Sequence, residues 1–120
     1  MNIRRIVPDL TVTDVEACKN FYIGILGLQL GMDLGWVITF GSPNNPTAQL
    51  TLIQKDQTAP LNPQITIEVE DVTAVFNNAL KAGAQIVYPL TDEPWGVRRF
   101  FMTDPNGVVI NVMSHYVSKA

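Results

Sequence analysis

The sequence has a single cysteine and a single histidine in 120 residues. One thiol forms no intramolecular bridge, so the fold must hold by packing, and a chain of this length can bury roughly two-thirds of its unfolded surface. One histidine leaves little for the imidazole clusters that hold zinc or iron. Basic residues are also few. Eight Lys and Arg against eleven Asp and Glu give a net charge of -3, and the only basic doublets are Arg4-Arg5 and Arg98-Arg99. That balance offers no footprint for a phosphate backbone and excludes nucleic acid as the expected partner. No apolar run approaches the roughly 20 residues that span a bilayer, so no membrane partner is expected. The opening residues, Met1 to Pro8, lack the apolar core of a signal peptide. The expectation is one cytoplasmic domain.

What the sequence does contain is a repeat. Leu10-Thr11-Val12-Thr13-Asp14-Val15 reads like Ile67-Glu68-Val69-Glu70-Asp71-Val72, displaced by 57 residues. Each segment alternates apolar and polar residues, then changes to a period of 3.6 at the aspartate, as a strand does when it feeds an N-capped helix. The first helix carries Val15, Cys18, Phe21, Tyr22 and Ile25 on one stripe, with Gly27 placed for a left-handed residue after its end. The second carries Val72, Val75, Phe76, Ala79 and Leu80 and stops at Gly83. Strands are predicted over 28–32, 36–40 and 48–53, then over 85–90, 98–102 and 108–113, with turns at 41–46 and 104–107. Each half therefore reads β-α-β-β-β: a first module over 1–56, a linker over 57–63 and a second module over 64–120. The expected fold class is α+β, two βαβββ modules forming an open, mixed half-barrel sheet with a concave ligand cleft.

Period-two alternation assigns the faces of the strands. Leu10 and Val12 go under the first helix, leaving Val7, Asp9 and Thr11 on the concave side. Ile65, Ile67 and Val69 go under the second, leaving Gln64, Thr66 and Glu68. The same rule places Gln49, Thr51 and Ile53, and likewise Val109, Asn111 and Met113, on the concave face. The resulting wall is amides, hydroxyls and two carboxylates, Asp9 and Glu68, which either favour a cationic ligand or share a proton. Base rates favour simple solvation for both. Trp36 and Trp95 are candidates to stack on a planar ligand. Cys18 reads as a packed thiol and His115, past the last strand, as a surface residue. Arg98 and Arg99 fall on opposite faces of one strand, one toward the cleft and one toward solvent.

The run from Val7 to Asp14, followed by Phe21-Tyr22 and Leu26-Gly27-Leu28, resembles the first module of the vicinal oxygen chelate superfamily, which includes glyoxalase I, extradiol dioxygenases and bleomycin-resistance proteins. Glu93-Pro94-Trp95-Gly96-Val97-Arg98, Phe100-Phe101 and Asp104-Pro105-Asn106-Gly107 are similar to its closing motif, and Pro-Trp-Gly to its bleomycin-resistance-like members. The resemblance implies a divalent metal held by four His or Glu side chains, at positions that here carry Val7, Gln49, Gln64 and Asn111. An alkyl group and three neutral amides do not make such a site. Neither a catalytic residue nor a metal or other cofactor is therefore expected. The ligand-binding candidates are Asp9, Thr11, Trp36, Gln49, Thr51, Gln64, Thr66, Glu68, Trp95 and Asn111, with Trp95 placed at the cleft mouth by the resemblance. The function implied is sequestration of a small organic molecule, a cationic or planar drug, in the manner of the bleomycin-resistance proteins. The alternative is a glyoxalase- or dioxygenase-like enzyme with another substrate. The resemblance also implies a homodimer with shared clefts and an N-terminal arm crossing near Pro8, in keeping with uncovered sheet edges and apolar strands.

Overall fold

Asp14 and Asp71 start the two helices as their positions predict. Both have extended backbones, and their side chains accept hydrogen bonds from Ala17 N at 3.2 Å and Ala74 N at 3.1 Å. Each thereby satisfies an amide with no partner inside the helix. Gly27 and Gly83 turn the chain away beyond the helices with φ of 71° and 73°, a region costly for any residue with a Cβ. The computed structural model describes residues 2–116. Its elements run β1 (Ile3–Thr11), α1 (Val15–Gly24), β2 (Gln29–Asp33), β3 (Val37–Ser42), β4 (Asn45–Ile53), β5 (Ile65–Val69), α2 (Val72–Lys81), β6 (Gln85–Glu93), β7 (Val97–Thr103) and β8 (Val109–His115). Val7–Gln64 form one compact unit, and Ile3 to Ile6 group with the residues from Ile65 onward in the other.

In the Val7–Gln64 unit the strand order is β2-β3-β4-β1. β1 runs parallel to β4, pairing Asp9 with Thr51 and Leu10 with Leu52, while β3 lies antiparallel between β4 and β2. α1 packs over Val15, Ile38, Phe40 and Leu52, with Val12, Cys18 and Tyr22 at the margin. The apolar stripe of α1 is only partly covered, contrary to the sequence expectation. Val15 is its one buried residue, while Phe21 and Ile25 remain 52% and 70% exposed. β2, at the edge of this unit's sheet, has five residues, all exposed.

In the other unit the order is β5-β8-β7-β6, with β5 parallel to β8 and the remaining pairs antiparallel. α2 covers this sheet fully along Val72, Val75 and Ala79, which pack on Val69, Phe100 and Val112. Each large side chain so enclosed contributes about 1.5–3 kcal/mol. Leu80, placed on the stripe by spacing, is exposed. Ser114 ties three elements together: its hydroxyl donates to Val69 O at 2.8 Å and accepts from Val72 N at 3.0 Å.

Among the described residues the fold is α+β, with eight strands and two helices, and neither row of strands closes into a barrel. Several strand ends differ from expectation: β6 runs on to Glu93, and two further differences move named residues. Pro46 lies inside β4 rather than in a turn, close to the register shift at Gly41 and Ser42, where a missing N–H is tolerated. His115 lies within β8, paired with Val97, and not beyond the strand. Among the described residues no helix is long and apolar enough to cross a membrane.

Candidate functional site

The strand register of the unit containing α2 lays side chains out in rows on the face that α2 leaves uncovered. Thr66, Asn111, Phe101 and Tyr88 form one row across four strands. Glu68, Met113, Arg99 and Thr91 form the next, and His115, Val97 and Glu93 the third. The intervening residues Ile67, Val112 and Phe100 point the other way, into the α2 core. Tyr88 departs from simple alternation. Ile86 and Leu90 pack toward α2, and only the register shifts on both sides of Tyr88 turn it to pair with Phe101 on the opposite face.

Arg99 is a buried cation on this face. Its Nε donates to Glu93 Oε2 at 2.6 Å, with side-chain exposures of 5% and 2%. Tyr88 Oη donates to the same carboxylate oxygen at 3.2 Å. The guanidinium carbon lies 4.8 Å from the centre of the Phe101 ring, 5.1 Å from Trp95 and 5.5 Å from Tyr88. A planar cation among three π-faces is favourably placed, the more so when shielded from water. The loop carrying Trp95 is braced at both ends. Gly96, at φ 88°, donates its N–H to Glu93 O at 3.1 Å, Tyr116 Oη donates to that same carbonyl at 2.8 Å, and Tyr116 N–H donates to Gly96 O at 3.0 Å. Trp95 itself is half-buried.

Glu68 is already engaged. Arg5 Nε pairs with its Oε1, and His115 Nδ1 lies 3.1 Å from its Oε2. Burial favours the neutral acid, but the hydrogen bonds from His115 and Arg5, with their charges, outweigh it and hold the carboxyl below its ordinary value. Asn111 is engaged on one side only. Its Nδ2 donates to Thr66 Oγ1 at 3.0 Å, while its Oδ1, closed off from water, has no donor among the described residues. A buried carbonyl left so costs about 1–3 kcal/mol.

The remaining candidates lie in the Val7–Gln64 unit. Asp9, Thr51 and Thr39 share a row on the face opposite Leu52 and Ile38, and Thr11 pairs with Ile53 on that same face. Asp9 is buried. Thr11 Oγ1 accepts from Asn62 Nδ2 at 3.2 Å, and Gln49 Nε2 donates to Pro46 O at 2.7 Å. Gln64 is exposed, and its carbonyl accepts from Asp9 N at 3.0 Å. Trp36 is half-buried just before β3, its carbonyl accepting from Gln54 N at 2.9 Å. Thr66, Glu68 and Asn111 are thus gathered on one face, and Asp9, Thr11, Gln49 and Thr51 on another. Arg99 is the member of its doublet that turns inward, while Arg98 is half-buried and pairs with Asp92 at 2.6 Å. The Glu93 and Tyr88 partnership was not read from the sequence. Its one signal is the acid two residues before Trp95, on the hairpin that returns through Arg99.

The donor chemistry does not fit a divalent metal. Val7 is a buried alkyl group, the amide of Gln49 is bonded to its own strand, and Gln64 and Asn111 are neutral. Among the described residues no three His, Cys, Asp or Glu side chains are grouped as a metal would require.

Residues 3–112 match the family model described as the Glyoxalase/Bleomycin resistance protein/Dioxygenase superfamily. No curated protein matches the sequence. Among solved structures, a hypothetical protein from Bacillus halodurans superposes with a TM-score of 0.76 at 16% identity, over 100% of this chain and 99% of its own. A protein described as an NAD-dependent benzaldehyde dehydrogenase from Legionella pneumophila gives 0.73 at 16% identity, over 92% and 98%. A glyoxalase/bleomycin resistance protein/dioxygenase superfamily member from Vibrio splendidus gives 0.68 at 16% identity, over 94% and 99%. At these identities the likeness is one of fold.

Proposed function

We propose, from the premise that the chain belongs to the glyoxalase/bleomycin resistance protein/dioxygenase superfamily, that it binds and sequesters a small planar organic molecule without a catalytic metal. The observation that carries this reading is the donor set. The positions that would hold the metal have an alkyl group and three neutral amides, Val7, Gln49, Gln64 and Asn111, and such groups lack the charge to strip a divalent ion of its water.

The α2-free face supports a planar ligand more than a cationic one. Of the three rings around Arg99, Phe101 and Tyr88 are buried, and half-buried Trp95 is the one that keeps surface for a planar ligand. The carboxylates of Glu68 and Glu93 are each matched by an arginine, so neither is left to select a positive charge. Sequestration by a homodimer in the cytoplasm, in the manner of the bleomycin-resistance proteins, completes the proposal. The apolar residues left exposed on α1 and β2 support the dimer.

Elemental analysis of the purified protein tests the central point. The expected result is far less than one metal per chain. Stoichiometric nickel, zinc, manganese or iron would overturn it and point to a glyoxalase- or dioxygenase-like enzyme. A thermal-shift screen with planar aromatics tests binding, since a ligand at 100 times its Kd adds about 2.7 kcal/mol.

A further inference from the structure

We propose that His115, oriented by Glu68, is a proton-accepting site for the acidic hydroxyl of a phenol-type ring. The proposal rests on the ligand-binding reading above and names the class of molecule. His115 Nδ1 lies 3.1 Å from Glu68 Oε2, and the two side chains are 57% and 13% exposed. Arg5 Nε takes the other oxygen of that carboxylate. Glu68 is ionised at neutral pH, and an ionised carboxylate only accepts hydrogen bonds. The hydrogen of a neutral His115 ring therefore sits on Nδ1, which leaves the basic lone pair at Nε2. Nε2 has no partner among the described residues, and the side chain that carries it is open to water and to a ligand.

The surroundings select what that nitrogen accepts. His115 lies on the face that α2 leaves uncovered, opposite Val97 in the strand register. Tyr116 N–H donates to Gly96 O at 3.0 Å, so the turn carrying half-buried Trp95 lies against the end of β8 that carries His115. Ring surface and an oriented base are thus at one end of one sheet. The other charges on this face are matched, Arg5 with Glu68 and Arg99 with Glu93. The ligand's acidity must suit the base. A carboxylic acid is already ionised near neutral pH and brings no proton, while a simple phenol, at about 10, keeps its own. A phenol made more acidic by an electron-withdrawing substituent falls between them. Its O–H bond breaks, the electron pair stays on oxygen and the proton forms an N–H bond at Nε2. The phenolate then faces an imidazolium whose Nδ1–H remains on Glu68.

4-Nitrophenol and 4-nitroanisole are the probes, since they differ by one methyl group on the oxygen and the phenol changes colour as it ionises. Absorbance against pH gives the midpoint at which bound 4-nitrophenol ionises. In the unaltered protein it is expected about one pH unit below that of the free probe, a tenfold gain in acidity. His115→Gln is expected to return it to the free value. Glu68→Gln, which keeps an acceptor beside Nδ1 without its charge, is expected to shrink the shift. Arg99 is present in both variants, so a shift that survives His115→Gln belongs to Arg99 and overturns the site, as does an unshifted midpoint in the unaltered protein. Binding of either probe in those cases leaves the ligand-binding reading standing. No binding of either at millimolar concentration overturns both. His115 is the chain's single histidine, so its nitrogen NMR spectrum needs no variant: the neutral ring is expected to carry its hydrogen on Nδ1, and a ring carrying it on Nε2 would overturn the assignment.

Discussion

Arg99 shows what a buried charge demands of its neighbours. Its partner Glu93 is as enclosed as the guanidinium itself, so removing one leaves the other charged and dry. Arg99→Met is therefore expected to destabilise the protein by about 3–5 kcal/mol, a large part of a typical domain's stability. Arg99→Met combined with Glu93→Gln is expected to cost less than Arg99→Met alone, since the double variant buries no unpaired charge. Urea unfolding of the three proteins checks this, and strictly additive losses would contradict it. Glu68 makes a pH-dependent case. Its folded-state acidity is strengthened by His115 and Arg5, so its contribution is present above the ordinary carboxylate value of about 4.3 and is lost as the pH falls through the folded value below it. Glu68→Gln is expected to be less stable than the unaltered protein at pH 6 and to approach it near pH 3. A stability difference independent of pH would show that the carboxylate's charge is not what matters. Thr66, Glu68 and Asn111 could be set on one face from alternation alone, because β5 and β8 keep an unbroken register. The pairing of Glu93 with Arg99 could not, because it depends on how β6 and β7 align, and that alignment shifts twice.

Regularity decides how much of each element the sequence discloses. Asp14 and Asp71 announce their helices through local chemistry that needs no tertiary context. Tyr88 does the opposite: period two puts it beside Ile86 and Leu90 under α2, and only the irregular β6 ladder turns it toward Phe101. The start of α2 owes as much to a distant residue as to its own cap. Ser114, 42 positions away, accepts from Val72 N and donates to Val69 O. Ser114→Ala removes both bonds and leaves a buried amide unpaired, with an expected loss of about 1–3 kcal/mol. Amide hydrogen exchange should show Val72 losing protection more than the middle of α2 does. Equal loss along the whole helix would mean that Ser114 acts on the core and not on the helix start.

The two halves share an order of elements but not a degree of enclosure. α2 buries Val72, Val75 and Ala79 in its sheet, whereas α1 buries Val15 alone and leaves Phe21, Ile25 and Leu26 more than half exposed, with Leu30 and Met32 of β2 exposed as well. Hydrophobic spacing marks the stripe of a helix without indicating whether the same chain or another covers it, which is why the sequence reading placed both stripes in a core. The residues are consistent with a surface that a second copy covers. A stable interface removes about 1,200–2,000 Å² from water, and burying several side chains of this size would favour association by several kcal/mol before the entropic cost is subtracted. Sedimentation velocity at micromolar concentration is expected to give a dimer for the unaltered protein. Phe21→Ser with Ile25→Ser is expected to give a monomer whose unfolding midpoint no longer depends on concentration, with little loss of intramolecular packing because both side chains already face outward. A monomer in the unaltered protein, or a dimer that survives both substitutions, would remove α1 as the interface.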